Sequence, residues 1–136
     1  MKVRLDHGAI APKRAHDTDA GVDLFSPVSC RIAPGGSAVI DTGVHIEIPV
    51  GWCGLLVAKS GLNVNSSVTS TGLIDAGYTG SIRVKLYNHG EGAYDVHAGD
   101  KISQLVILPC MIDRVEIVDQ IGGGERGDDG FGSTGR

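Results

Sequence analysis

The stretch SIRVKLYN, residues 81–88, decides the fold. Ile82, Val84 and Leu86 fall on one side of it and the polar residues on the other, which is the period of two of a strand with one buried face. Just upstream, DAGYTG (75–80) carries the residues of a tight reversal. The same alternation returns in VHIEIPV (44–50), RVEIV (114–118) and KVRL (2–5). GLLVA (54–58) and QLVILP (104–109) are unbroken apolar runs, as expected of strands buried on both faces. Turn signals fall between these runs at short intervals: APGGS, DTG, PVGW, NHGEG, HAGD. Many short strands with frequent Gly, Pro and Asp turns predict an all-β barrel or sandwich. Helix is confined to one short turn in KSGLNVNSS (59–67), with Ser60 as its N-cap.

A chain of 136 residues makes one ordinary domain with a real core. No apolar run approaches the roughly 20 residues that a membrane helix needs, and MKVRLDHGAI lacks the apolar stretch of a signal peptide. The expectation is a cytoplasmic protein with no membrane partner. A net charge of −4 argues against a broad nucleic-acid footprint, though not against a small phosphorylated ligand. Cys30, Cys53 and Cys110 are far apart and form no C-x-x-C pair, so they read as reduced core residues. The five histidines likewise show no ligand spacing. Composition shifts only after Ile121. The organisation expected is a β domain over residues 1–121 carrying a flexible glycine-rich arm over residues 122–136.

Four loops hold more polar specificity than a turn requires. DAGVDLFS (19–26) sets two carboxylates around a glycine. AKSGLN (58–63) puts Lys59, Ser60 and Gly61 where a strand gives way to a helix start, a junction that suits an anion and also makes ordinary turns. In TGLIDAGYTGSIRV (71–84), Asp75 ends an apolar run and so could simply cap a turn. Tyr78 has no turn-forming purpose, however, and a ring beside a carboxylate makes a platform for a sugar or base. In AGDKISQLVI (98–107), Gln104 either braces a loop or reaches a ligand. The tail GGGERGDDGFGSTGR (122–136) has the composition of a frayed end yet carries Phe131 and Arg126.

Taken in order, AGVDLFS (20–26), KSGL (59–62), GLIDAGYTGSI (72–82), GDKISQLV (99–106) and RGDDGFGSTG (126–135) resemble the five motifs of the trimeric dUTPase family. The resemblance implies a jelly-roll-like β-barrel assembled as a homotrimer, with active sites at subunit interfaces. It implies Mg²⁺-dependent hydrolysis of dUTP to dUMP and pyrophosphate, which limits uracil in DNA and supplies dUMP for dTMP synthesis. Asp75 would be the general base that activates water for attack on the α-phosphorus, an ionised carboxylate at neutral pH. Ser60 and Gln104 would assist at the phosphate chain, and Asp23 would act on Mg²⁺ through water. Tyr78 would pack against the deoxyribose and exclude a ribose hydroxyl. A β-hairpin through Ser70, Thr71, Gly72 and Leu73 would read uracil through its main chain. The implied substrate-binding set also includes Lys59, Gly61, Thr69, Ile74 and Lys85. From the tail, Phe131 would stack over uracil, Arg126 would pair with the γ-phosphate, and Gly132, Ser133 and Thr134 would donate hydrogen bonds to it.

Three positions depart from the family pattern. Lys59 stands where Arg is usual, and keeps the charge without the bidentate fork. Thr69 stands where many members have Asn, and Asp129 replaces a glycine near the expected γ-phosphate. Two rival readings share the scaffold: a dCTP deaminase relative and a non-catalytic regulatory trimer. A plain jelly-roll module would leave Asp75, Tyr78 and the tail without a purpose.

Overall fold

The computed structural model describes residues 1–124. Ten strands and one helix follow in order: β1 (Val3–Leu5), β2 (Gly21–Phe25), β3 (Cys30–Ile32), β4 (Ser37–Asp41), β5 (Val44–Ile46), β6 (Trp52–Val57), α1 (Ser60–Ser66), β7 (Val68–Ile74), β8 (Arg83–Asn88), β9 (Tyr94–Val96) and β10 (Lys101–Pro109). Six strands form a curled antiparallel sheet in the order β2-β10-β6-β7-β8-β4, and the pairs β1-β5 and β3-β9 complete the half-barrel. The all-β prediction is borne out, with one short helix as the sole exception among the described residues.

Alternation explains the core. Ile82, Val84 and Leu86 turn inward and are essentially buried, joined by Leu24, Ile40, Val44, Leu56, Val68, Ile102 and Leu105. Burying such branched side chains contributes about 1.5–3 kcal/mol each. Asn88 ends β8 inside this core, where its amide donates to the carbonyls of Ile32, Ala33 and Gly92. One side chain thereby ties three chain segments together.

Several expectations need correction. β6 and β10 are not buried on both faces: Leu56 and Leu105 are buried, while Leu55, Val57, Val106 and Ile107 are half-buried. The helix begins at Ser60, and its N-cap is Lys59, which makes no capping hydrogen bond through its side chain. The predicted hairpin through Ser70–Leu73 is one continuous strand, β7, and the reversal comes later, between Asp75 and Ile82. The cysteines are free but half-buried rather than core, and the Cys53 and Cys110 thiols are in contact. RVEIV (114–118) forms no strand: Val115 and Ile117 are 94% and 95% exposed. Its alternation is real, but a strand exists only against a partner edge, and among the described residues none is offered to it.

Candidate active site

The Asp75 region is built by a fork in the sheet. β7 pairs with β8 only over Val68–Ser70, then pairs with β6 on its other edge over Thr71–Ile74. Past Ser70, β8 diverges from β7 and leaves a hollow of about 210 Å³ lined by Gly72, Leu73, Ile74, Asp75, Tyr78, Ile82 and Arg83. Backbone N–H and C=O groups of Gly72–Ile74 on that edge are therefore open to a ligand. Side chains alternate along β7. Ser70 points inward, its hydroxyl 2.9 Å from that of Ser103, so only its main chain could meet a substrate.

Asp75 sits exposed at the end of β7. The chain then turns, with the Tyr78 N–H donating to the Asp75 carbonyl at 3.2 Å. Gly77 occupies the third turn position with φ 84°, a conformation that strains any residue with a Cβ. Tyr78 folds back so that its hydroxyl donates to the Ser81 carbonyl at 3.0 Å. A Cβ on Gly80 would lie 2.4 Å from the Tyr78 hydroxyl oxygen, so a larger residue there would displace the ring from this stance. The ring remains 46% exposed, with one face toward the Asp75 hollow.

A second cluster forms around Asp23. Its carboxylate is only 4% exposed and meets the Lys101 ammonium at 2.8 Å and that of Lys59 at 3.5 Å. The Gln104 amide donates to the same carboxylate at 3.4 Å. The register explains the convergence: Gln104 pairs with Asp23 on one side and with Val57 on the other, and Lys59 and Ser60 follow β6 directly. Burial alone would raise the Asp23 carboxyl. The hydrogen bonds from Lys101 and Gln104 and the charges of Lys59 and Lys101 outweigh it and hold the group below the usual carboxylate range. Ser60 and Gly61 are exposed beside the cluster at the start of α1.

The two regions do not meet in one chain. Gly54 pairs with Ile74, so Asp75 lies across from Cys53 at the start of β6, whereas Gln104 pairs with Val57 at its end. Four residues separate these points, about 13 Å along the strand, with a further ~10 Å across two strand spacings. Cys110 sits at the Asp75 end: burial first, then Cys53 and the Asp75 charge, raise its thiol above the ordinary value. Of the remaining expected residues, Thr69 bonds His89 at 3.1 Å, and Lys85 lies 5.0 Å from the centre of the Tyr87 ring, outside the lining of the Asp75 hollow. Arg126, Phe131, Gly132, Ser133 and Thr134 lie outside the described residues.

Sequence reading missed Lys101, although it stands inside GDKISQLV; a lysine opening a strand gives no sign that it will face a buried carboxylate. Arg83 was missed for a similar reason: its place beside the hollow depends on where β8 leaves β7.

The family model for dUTPase matches residues 7–135. A deoxyuridine 5'-triphosphate nucleotidohydrolase of Clostridium tetani is 43% identical over 140 residues, covering 100% of this chain and 97% of that protein. That of Mycobacterium bovis is 45% identical over 142 residues, covering 98% and 92%. Among solved structures, a mutant dUTPase of Staphylococcus bacteriophage 80alpha with dUpNHpp matches at a TM-score of 0.93 and 33% identity, covering 99% of this chain and 98% of that one. A dUTPase variant from phage phi11 of S. aureus, described with a structural Mg(II) ion, matches at a TM-score of 0.82 and 32% identity, covering 90% and 98%.

Proposed function

The chain belongs to the dUTPase family, and from that premise we propose that it hydrolyses dUTP to dUMP and pyrophosphate, with Asp75 as general base. The observation that carries this reading is the hollow where exposed Asp75 and Tyr78 meet the open edge of β7. Uracil is read there by main-chain groups of Gly72–Ile74, whose fixed donor and acceptor pattern a cytosine would leave unpaired. Tyr78 lies against the deoxyribose, where a ribose hydroxyl would collide with the ring. Asp75 takes a proton from a water whose oxygen forms a bond to the α-phosphorus. The bond to the bridging oxygen breaks in line, and pyrophosphate leaves with the electron pair.

Lys59, Ser60 and Gln104 hold the phosphates, so that attack depends on positioning rather than on a covalent intermediate. Asp23 is the carboxylate nearest to them, but Lys101, Lys59 and Gln104 already engage its oxygens. Among the described residues no group of three or more His, Cys, Asp or Glu side chains could hold a metal. A Mg²⁺ at this site would be held by Asp23 through water. Mg²⁺, when bound, neutralises phosphate charge. The arm over residues 122–136 would close the site, with Phe131 over uracil, Arg126 on the γ-phosphate and Gly132, Ser133 and Thr134 donating to it.

Because Asp75 and Gln104 stand at opposite ends of β6, a working site takes its base from one copy and its phosphate cluster from another. The assembly we infer is the homotrimer that the family resemblance implies. The exposed apolar residues after β10, Met111 to Ile121, offer a neighbouring copy a strand to pair with. No helix among the described residues is long and apolar enough to cross a membrane. We place the enzyme in the cytoplasm, where its dUMP would feed dTMP synthesis.

Pyrophosphate release from dUTP with Mg²⁺, set beside UTP, dTTP and dCTP, tests the reading. Asp75→Asn should abolish turnover and keep binding, and removal of residues 125–136 should cut turnover while leaving the barrel folded. Ammonia release from dCTP would instead favour the deaminase relative.

A further inference from the structure

Tyr78 also lines a second hollow, of about 300 Å³, together with Lys2, Arg4, His45, Glu47 and Thr79. The Asp75–Gly80 turn therefore does not rest on packed core at this point. What reaches across to it is His45. On β5, His45 stands directly opposite Arg4 of β1, and its side chain is only 12% exposed. Its Nδ1 lies 2.8 Å from the Thr79 carbonyl oxygen and its Nε2 lies 2.9 Å from a carboxylate oxygen of Asp6.

Both partners are acceptors. A neutral imidazole has one N–H and can satisfy only one of them; the imidazolium satisfies both. We propose that His45 is a positioning residue for the turn that carries Tyr78: as imidazolium it clasps the Thr79 carbonyl to the Asp6 carboxylate and so fixes the ring's stance. The consequence for catalysis rests on the reading of Tyr78 as the platform for the deoxyribose.

The charged groups around the ring pull both ways, Asp6 favouring the imidazolium and Arg4 opposing it. Arg4 places Nη2 at 2.9 Å and 2.7 Å from the two ring nitrogens and repels the imidazolium, while its Nη1 donates to Asp6 at 3.0 Å. Asp6 thus balances two cations. Lys2 and Glu47 pair with each other at 2.8 Å on the same hollow, and Tyr78 faces it from the turn. The hydrogen bond to Asp6, followed by that to Thr79, raises the His45 pKa against burial and Arg4; the His45 hydrogen bond in turn holds Asp6 below its ordinary value. A raised histidine is charged and clasped at low pH and releases as pH climbs through its folded pKa. The neutral ring then turns one nitrogen into an acceptor, which suits the Arg4 donor, and Thr79 or Asp6 loses its hold.

The test uses the full chain. In the ligand-free protein, NMR should find both His45 ring nitrogens protonated below an elevated midpoint, with the Tyr78 ring signals shifting at that same midpoint. In kinetics, KM for dUTP should rise about fivefold through it, the worth of one lost neutral hydrogen bond, and UTP should be less well rejected, with kcat little changed. His45→Gln, which donates to one partner only, should show the raised KM at all pH values and no inflection; the wild-type titration serves if that variant does not fold. A His45 that titrates at or below the value of free imidazole would overturn the proposal. So would Tyr78 signals that ignore its titration. Absence of dUTP turnover would sink the activity reading instead, leaving the ligand-free measurement to decide the clasp.

Discussion

Two inactive variants should restore each other. Asp75→Asn removes the proposed base and leaves the phosphate cluster whole; Gln104→Leu damages the cluster and leaves the base. Because the two groups lie about 13 Å apart along β6 and ~10 Å across it, the proposed site combines them from two different copies. Suppose the variants are mixed in equal amounts and assemble at random in a closed ring. A site is intact when the copy giving the base carries Asp75 and the copy giving the cluster carries Gln104, a chance of one half each. About one quarter of wild-type turnover should return. The assay is pyrophosphate release after co-refolding of differently tagged chains, with native mass spectrometry confirming mixed oligomers. If mixed oligomers formed and turnover did not exceed that of the parents, the site would lie within one chain and the reading of β6 would be wrong.

Lys101→Met strips Asp23 of its closest cation and leaves a nearly buried carboxylate to Lys59 and Gln104. We expect a loss of about 2 kcal/mol in urea unfolding at fixed protomer concentration, less than for a fully buried pair because Lys101 is partly exposed. The Asp23 carboxyl is held low in the folded state, so its contribution is complete at neutral pH and fades as pH falls through and below the usual carboxylate range. The acid-unfolding midpoint of the variant should therefore move to higher pH; an unmoved midpoint would contradict the pairing. Ile117→Asp, at a residue 95% exposed in the single chain, should be silent in a monomer but should weaken association measured by sedimentation. Unchanged assembly would mean that the segment after β10 does not pair with a neighbour.

The fold was legible wherever a strand has one wet and one dry face. Residues 81–88 alternate, and Ile82, Val84 and Leu86 are indeed buried. The same rule misled at residues 114–118, because periodicity reports how a strand would bury itself and not whether a partner edge is present. At Ser60 the preference for serine at helix caps was overridden by one position, since the chain leaving β6 turns into α1 at Lys59.

Local chemistry settled other things from the order of residues alone. A glycine at position 77 permits the tight turn after Asp75, and Tyr78 follows within it because turn geometry is decided by near neighbours. Which distant groups face each other was decided only by tertiary structure. Asp23 meets Lys59 and Lys101 through strand register, and His45 reaches Asp6 and Thr79 across 39 and 34 residues. The fork that opens the edge of β7 arises where β8 parts from it, a consequence of sheet curvature that no stretch of sequence encodes by itself.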